Sequence, residues 1–358
     1  MSNHDSAGRL GQNTIHFGIQ PTQHEPRKLI EETLLAEKCG FDSLWFPDNM
    51  VSLQSHSGRL DAWVILTFLA SNTKKIRLAS AVSDVYRRHP ANLAHMGLTL
   101  DYVSNGRAII GVGAGHGVNL TNFGITMEKP LTRLREAIEV IRALLKSAMN
   151  KPVDFEGRCF NLYGAFLEVE RVRENGPPIY VGAQSRKTRI LAGELSDGWF
   201  PWLHTREGYR EMVKDVDEGA RKAGRDPSEV GKVARLFTLI SNDEETALEM
   251  VGTNLRKSLV LENHILAGAE SLVPGSPNLS HLTFTASENN YERLGEAASS
   301  VPTSLVGKVA TVGSADKVIG VVEDYAKLGS TEIVVRPYSE NDLREFGGKV
   351  IPYFANRT

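Results

Sequence analysis

The stretch Ile76–Gly117, IRLASAVSDVYRRHPANLAHMGLTLDYVSNGRAIIGVGAGHG, decides the fold. It opens on Ile76 to Val82, an apolar run of strand length, and turns through Tyr86-Arg87-Arg88-His89. Pro90 then starts a helix predicted over Ala91 to Ser104, and Arg107 to Gly113 is a second strand-length run. Two such runs joined by a helix make a crossover unit whose strands lie parallel.

The same rhythm extends outward. Before this unit, strands are predicted at Ile15–Ile19 and Ser43–Phe46, with helices at Lys28–Gly40 and Ala62–Ser71. After it come a helix over Pro130–Lys146 and strands at Pro178–Gly182, Gly198–Pro201, Val233–Ile240 and Glu332–Arg336. Their intervening helices are Ser185–Glu194, Arg206–Ala223, Asp243–Leu261 and Ser314–Leu328, and Asn341–Phe354 is the last. The period changes at about 153–172, which reads as an inserted hairpin, and again at about 255–305, which reads as a helical insertion. Strand–helix alternation repeated eight times in 358 residues predicts an α/β protein, a single (β/α)8 TIM barrel over residues 1–358 with two insertions. In such a barrel, chemistry sits at the carboxyl ends of the strands. The residues just after each strand are therefore the candidates.

Composition narrows the partners. Net charge is −2, and neither sign forms a long run, which argues against nucleic acid or a membrane surface as a partner. Two cysteines, Cys39 and Cys159, are too few for a disulfide scaffold and have no metal-ligand spacing. No histidine pair has zinc spacing either, so no metal is expected. The longest apolar stretch, Ala62 to Ala70, is far short of a membrane span. These features predict a soluble, cytoplasmic globular protein.

Several strand ends carry polar or glycine-rich chemistry. Asp48 follows the second strand and either bonds a ligand or caps the next segment. Arg87 and Arg88 follow the third, as anion holders or as a solvated turn. Gly111-Val112-Gly113-Ala114-Gly115-His116-Gly117 closes the fourth, where glycines allow close backbone approach to a flat or phosphorylated ligand. A dinucleotide fingerprint needs a third glycine, but His116 and Val118 occupy the possible positions. After the fifth strand, Ala183-Gln184-Ser185-Arg186-Lys187-Thr188 leads into a helix. Its first turn holds two cations where the helix end prefers anions, an arrangement that a bound phosphate would offset. His116, in a glycine loop at a strand end, is the candidate acid or base.

Taken together these segments resemble the luciferase-like barrel superfamily. The resemblance rests on Leu100-Asp101-Tyr102-Val103-Ser104-Asn105-Gly106-Arg107 running into Gly111–Gly115, on Phe123-Gly124-Ile125 with Arg133–Leu145, and on Val181–Gln184 with Ala192–Gly198. Trp45-Phe46-Pro47-Asp48 and Tyr86-Arg87-Arg88-His89-Pro90 are most similar to the branch using the deazaflavin coenzyme F420. That branch includes methylenetetrahydromethanopterin reductase and deazaflavin-dependent alcohol, sugar-phosphate and ketone oxidoreductases. The resemblance implies an enzyme, in its family commonly a homodimer, that passes a hydride between F420 and a small organic substrate. It implies that Asp48 bonds the deazaflavin ring and that Ala81-Val82 are joined by a non-prolyl cis peptide propping the ring from behind. By the same resemblance Asp84 and Asn119 make polar contacts to the cofactor. Gly113, Gly115, Ala183 and Gln184 border it, and Ser185, Arg186 and Thr188 hold its phosphate. Two positions depart from the dehydrogenase pattern. Asn49 stands where those enzymes have a basic histidine, and His116 where they have a glutamate, so hydroxyl oxidation by their mechanism is not implied and a reduction needing no base at Asn49 stays chemically open. The alternatives are a reduced-FMN monooxygenase of the same superfamily and a non-catalytic barrel that stores or senses a flavin-like ligand.

Overall fold

The structure, a computed structural model, describes residues 15–54, 58–262 and 287–355. In chain order its strands are β1 (His16–Ile19), β2 (Ser43–Phe46), β3 (Arg77–Ser80) with a two-residue continuation β4 (Ser83–Asp84), and β5 (Ala108–Gly113). Then follow β6 (Val153–Glu156), β7 (Asn161–Ala165), β8 (Ile179–Gly182), β9 (Gly198–Phe200), β10 (Gly231–Ile240), β11 (Ala310–Gly313) and β12 (Glu332–Val335). The strand order β12-β1-β2-β3-β5-β8-β9-β10 returns on itself through β10–β12 pairing, and every pairing in the ring is parallel. This is the closed eight-stranded barrel that the alternation predicted.

The interior is filled. Trp45, Ala79, Ile109, Tyr180, Phe200, Val233 and Val334 form one buried cluster, with Trp45 stacked on Phe200 at 4.6 Å and edge-on to Tyr180 at 5.2 Å. Beside it, Trp45 Nε1 donates to Ser43 Oγ (2.8 Å) and to Glu332 Oε1 (3.0 Å), while Arg77 Nη2 reaches Glu332 Oε2 at 3.2 Å. A barrel plugged by aromatic rings and this buried ion pair has its open space at the carboxyl ends. The outer helices present apolar stripes to the staves. In Arg206–Lys222, for example, Tyr209, Met212, Val213, Val216 and Ala220 are buried at i, i+3, i+4, i+7 and i+11.

Three local expectations differ. The third strand, expected to reach Val82, stops at Ser80, because the Ala81–Val82 peptide is cis and breaks the ladder before β4 resumes it. Strand β11 was not anticipated. It pairs with the last four residues of β10, Phe237–Ile240. The final helix divides at Phe346–Val350 into a π turn around Gly347-Gly348, where Gly347 lies so close to Cys39 that a Cβ there would come within 2.6 Å of its backbone oxygen. The hairpin region shows β6 and β7 paired antiparallel. Of the region read as a helical insertion, residues 263–286 lie outside the described residues. Helices Glu288–Ser299 and Thr303–Val309 follow them. Among the described residues no helix is long and apolar enough to cross a membrane, and no cluster of three metal-ligating side chains occurs.

One core histidine makes the fold acid-sensitive. His204 is 2% exposed, in contact with the rings of Tyr209 and Tyr325, and burial lowers its pKa from 6.5 to about 3. The unfolded chain takes up this proton near pH 6.5 while the folded chain resists it, so stability falls as pH drops from there towards 3. The slope is roughly 1.4 kcal/mol per pH unit. Denaturant midpoints measured at pH 7 and pH 4.5 should therefore drop less for His204→Gln than for the parent. Equal drops would assign the acid sensitivity elsewhere.

Candidate active site

A cavity of about 360 Å³ opens at the carboxyl ends of the strands. Its walls include Asp48, Asn49, Ala81, Val82, Asp84, Gly113, Gly115, His116, Asn119, Ala183 and Gln184, so most of the candidates read from the sequence meet around one space. Ser185, Arg186 and Thr188 do not line it.

The bulge at Ala81-Val82 forms part of the wall, and it is seated in glycine. A Cβ on Gly113 would lie 2.7 Å from Val82 Cγ2, one on Gly182 would lie 2.6 Å from the same atom, and one on Gly111 would lie 1.8 Å from the Ser80 oxygen. These glycines of β5 and β8 admit the protein's own valine. From the sequence, the β5 glycines offer room for a ligand's approach. The chain uses Gly113 first to seat Val82, and the cavity then meets a surface of backbone and isopropyl group.

The polar wall residues divide into engaged and available groups. Asp48, 3% exposed, accepts from Ser83 Oγ (2.6 Å), from Arg88 Nε (3.1 Å) and from Arg88 Nη2 (3.3 Å), while Ser83 Oγ in turn accepts from Trp63 Nε1 at 2.9 Å. Arg87 Nη2 donates to the Asp48 carbonyl at 2.5 Å, and Arg87 Nε to the Asp84 carboxylate. Asp84 also takes the backbone N–H groups of Tyr86 and Arg87. Both arginines thus hold this chain's own acids. Asn119 Oδ1 accepts from the N–H groups of Met50 (2.7 Å) and Val51 (3.0 Å), and Gln184 bridges Leu203 O and Trp202 N at 2.6 and 3.1 Å. These two amides brace the loops after β2 and β9. By contrast, the side chains of Asn49 and His116 make no hydrogen bond among the described residues. Burial lowers the His116 pKa below 6.5, so its imidazole is neutral near pH 7.

The cation at this helix start already has acid partners within the chain. Arg186 pairs with Asp215 Oδ1 (3.2 Å) and Glu218 Oε2 (2.6 Å) of the following helix, which supply the offsetting negative charge from within the chain. Ser185 is the N-cap, accepting from Thr188 N, and its hydroxyl lies 2.9 Å from that of Thr188. Sequence reasoning also missed part of the wall. Gln20, His24, Arg59, Trp202, Phe237 and Arg336 all line the cavity. Gln20 and Arg336 directly follow β1 and β12, so the strand-end rule points to both.

Residues 9–332 match the model of the family described as luciferase-like monooxygenase. The chain belongs to this family. It is an oxidoreductase with the family's barrel. The chain is 31% identical over 328 residues to a 5,10-methylenetetrahydromethanopterin reductase of Archaeoglobus fulgidus, covering 89% of this chain and 93% of the relative. The solved structure of the coenzyme F420-dependent tetrahydromethanopterin reductase from Methanopyrus kandleri is 26% identical and superposes with a TM-score of 0.78, covering 95% of this chain and 99% of that one. The fold also matches an F420-dependent secondary alcohol dehydrogenase in complex with an F420-acetone adduct, at a TM-score of 0.80, 23% identity and coverage of 95% and 99%.

Proposed function

We propose that this protein is a coenzyme F420-dependent reductase that delivers a hydride to a small organic substrate in the cavity above the barrel. The observation that carries the reading is the apolar wall at Ala81-Val82, which lines a cavity of about 360 Å³ at the strand ends, in a chain similar to an F420-dependent reductase. The residues present fit a tricyclic ring. Val82 and the β5 and β8 glycines give a back wall, Phe200 and Trp202 give aromatic surface, and Asn49 and His116 offer side-chain polar atoms that make no hydrogen bond among the described residues. Ala183, Gly115 and Asp48 would border the group. Ser185, Arg186 and Thr188, at the mouth side of β8, would meet its phosphate, with Asp215 and Glu218 giving up part of their hold on Arg186.

Bound coenzyme F420 supplies a two-electron hydride from carbon, with little reactivity towards dioxygen. The chain's part is placement and exclusion of water. Asp48, fixed by Ser83 and Arg88, would contact the bound coenzyme from one side of the cavity, and Val82 would border it. Asn49 follows Asp48 and has no proton-accepting side-chain nitrogen at neutral pH, which disfavours removal of a hydroxyl proton there. The reductive direction needs no such base. His116, whose side chain makes no hydrogen bond among the described residues, would take a proton from solvent and pass it to the substrate atom that gains negative charge as the hydride arrives.

Exposure to a panel of methylene-bridged pterins, ketones and alcohols, with the coenzyme's visible absorbance as readout, tests the reading. Oxidation of the reduced coenzyme by an electrophilic acceptor supports it. Loss of a proton-donating His116 should lower turnover on a ketone by at least about 100-fold in His116→Ala. Unchanged turnover would remove His116 from the mechanism. Oxygen-dependent turnover with reduced FMN alone would replace the proposal by a monooxygenase.

A further inference from the structure

The charged side chains around the cavity are unevenly placed. On the β2–β5 side, Asp48 and Asp84 neutralise Arg87 and Arg88. On the side of β10, β12 and β1 the wall carries Arg336, Arg59 and His24, and no carboxylate among the lining residues stands with them. Arg336 forms no ion pair or hydrogen bond among the described residues. The buried Glu32 lies close enough to feel its charge, but the Glu32 oxygens accept from Thr22 N, Thr22 Oγ1 and Gln23 N.

A third arginine stands behind this wall. Arg235, on β10, is 2% exposed and packs its guanidinium between Trp202 and Phe237, at 4.1 and 4.4 Å from the ring centres. Its Nε donates to Gln20 Oε1 at 2.6 Å, and its Nη2 is buried with no hydrogen-bond partner. Gln20, Trp202 and Phe237 are themselves cavity wall. The mutual effect of these cations is visible in their proton affinities. Burial and Arg336 together bring Arg235 down to about 9, and burial with the charges of Arg59 and Arg336 lowers His24. A buried arginine with an open N–H, behind a wall bearing further cations, is electrostatically incomplete without an anion.

We infer that the substrate carries an anionic group, a carboxylate or a phosphate monoester, and that this group docks at the β12 end of the cavity on Arg336, with Arg59 and His24 beside it. This rests on the reading of the cavity as the place where hydride donor and substrate meet. The planar guanidinium suits the paired oxygens of either anion. The cofactor's own phosphate is the competing source of the charge. The helix start at Ser185 follows β8, three strands round the barrel from β12, so one molecule's phosphate is not expected at both places.

Isothermal titration of the intact protein with inorganic phosphate and with succinate, repeated on Arg336→Met and Arg336→Lys, tests this. Separate titrations of each variant with coenzyme F420 distinguish the two sources. The inference predicts that Arg336→Met weakens phosphate and succinate binding at least tenfold, that Arg336→Lys keeps phosphate affinity within a few-fold, and that coenzyme affinity stays within about twofold in both. Phosphate and succinate affinities unchanged in Arg336→Met would overturn it. So would a fall in coenzyme affinity as large as the fall for phosphate, which would assign the cations to the cofactor. If the parent protein binds phosphate through Arg336 yet does not bind the coenzyme, the proposed function fails while the anion site stands.

Discussion

Replacing Asp48 by alanine is expected to destabilise the protein by about 3–5 kcal/mol and to abolish cofactor binding with it. The carboxylate is almost wholly buried and sits in a chain that runs from Trp63 through Ser83 to Asp48, and on through Arg88 to Asp61. Removing it leaves the Arg88 guanidinium, 19% exposed, without its inner partner, and leaves Ser83 Oγ without its acceptor. A buried charge stripped of its partner costs more than the pair contributed, which is why the expected loss is large. Asp48→Asn keeps an acceptor for Ser83 and should lose roughly half as much. Denaturant unfolding of the three proteins reads this directly. If Asp48→Ala unfolds within 1 kcal/mol of the parent, Asp48 is a ligand contact only and the network is incidental.

Gly113→Ala is expected to act on the cavity with less effect on the fold. The added Cβ would stand 2.7 Å from Val82 Cγ2, and valine has no flexible end to withdraw. Val82 must then move towards the cavity it borders, where the flat ligand is proposed to rest. Overpacking of this kind is worth about 1–3 kcal/mol, so coenzyme affinity should fall by about 5- to 150-fold. The pair is diagnostic because the clash is mutual. Adding Val82→Ala to Gly113→Ala should restore most of the lost affinity, although Val82→Ala alone weakens binding modestly by removing wall. Additive losses in the double variant would mean that Val82 does not transmit the effect.

Different parts of this molecule were legible in the sequence for different reasons. The barrel was legible because its signal is local and repeated: strand-length runs such as Arg107–Gly113 alternate with amphipathic helices such as Pro130–Lys146. The strand-end rule also located most of the cavity wall, and applied to every strand it points to Gln20 and Arg336. What it does not give is pairing. Arg186 is legible as a cation at a helix start, while Asp215 and Glu218 reach it from another helix, a juxtaposition with no trace in the local sequence. Asp48 and Gln184 were legible just after strands, and Asp84 and Asn119 through the family resemblance, but their engagement with Arg88, Trp202, Arg87 and the Met50–Val51 backbone depends on folding. Which aromatic rings meet the cavity likewise depends on folding. Trp45 and Trp199 lie on strands as expected, yet both are fully buried and neither lines the cavity, whereas Trp202, two residues beyond β9, does.

Trp202 therefore gives the most direct measurement. Quenching of tryptophan fluorescence in parallel titrations with coenzyme F420 and FMN, on the parent and on Trp202→Phe, reads which ring system the cavity accepts. The account predicts saturable quenching by F420 at micromolar concentration, FMN binding at least tenfold weaker, and most of the signal lost in Trp202→Phe. Tighter binding of FMN, or no binding of either ring system, would contradict it.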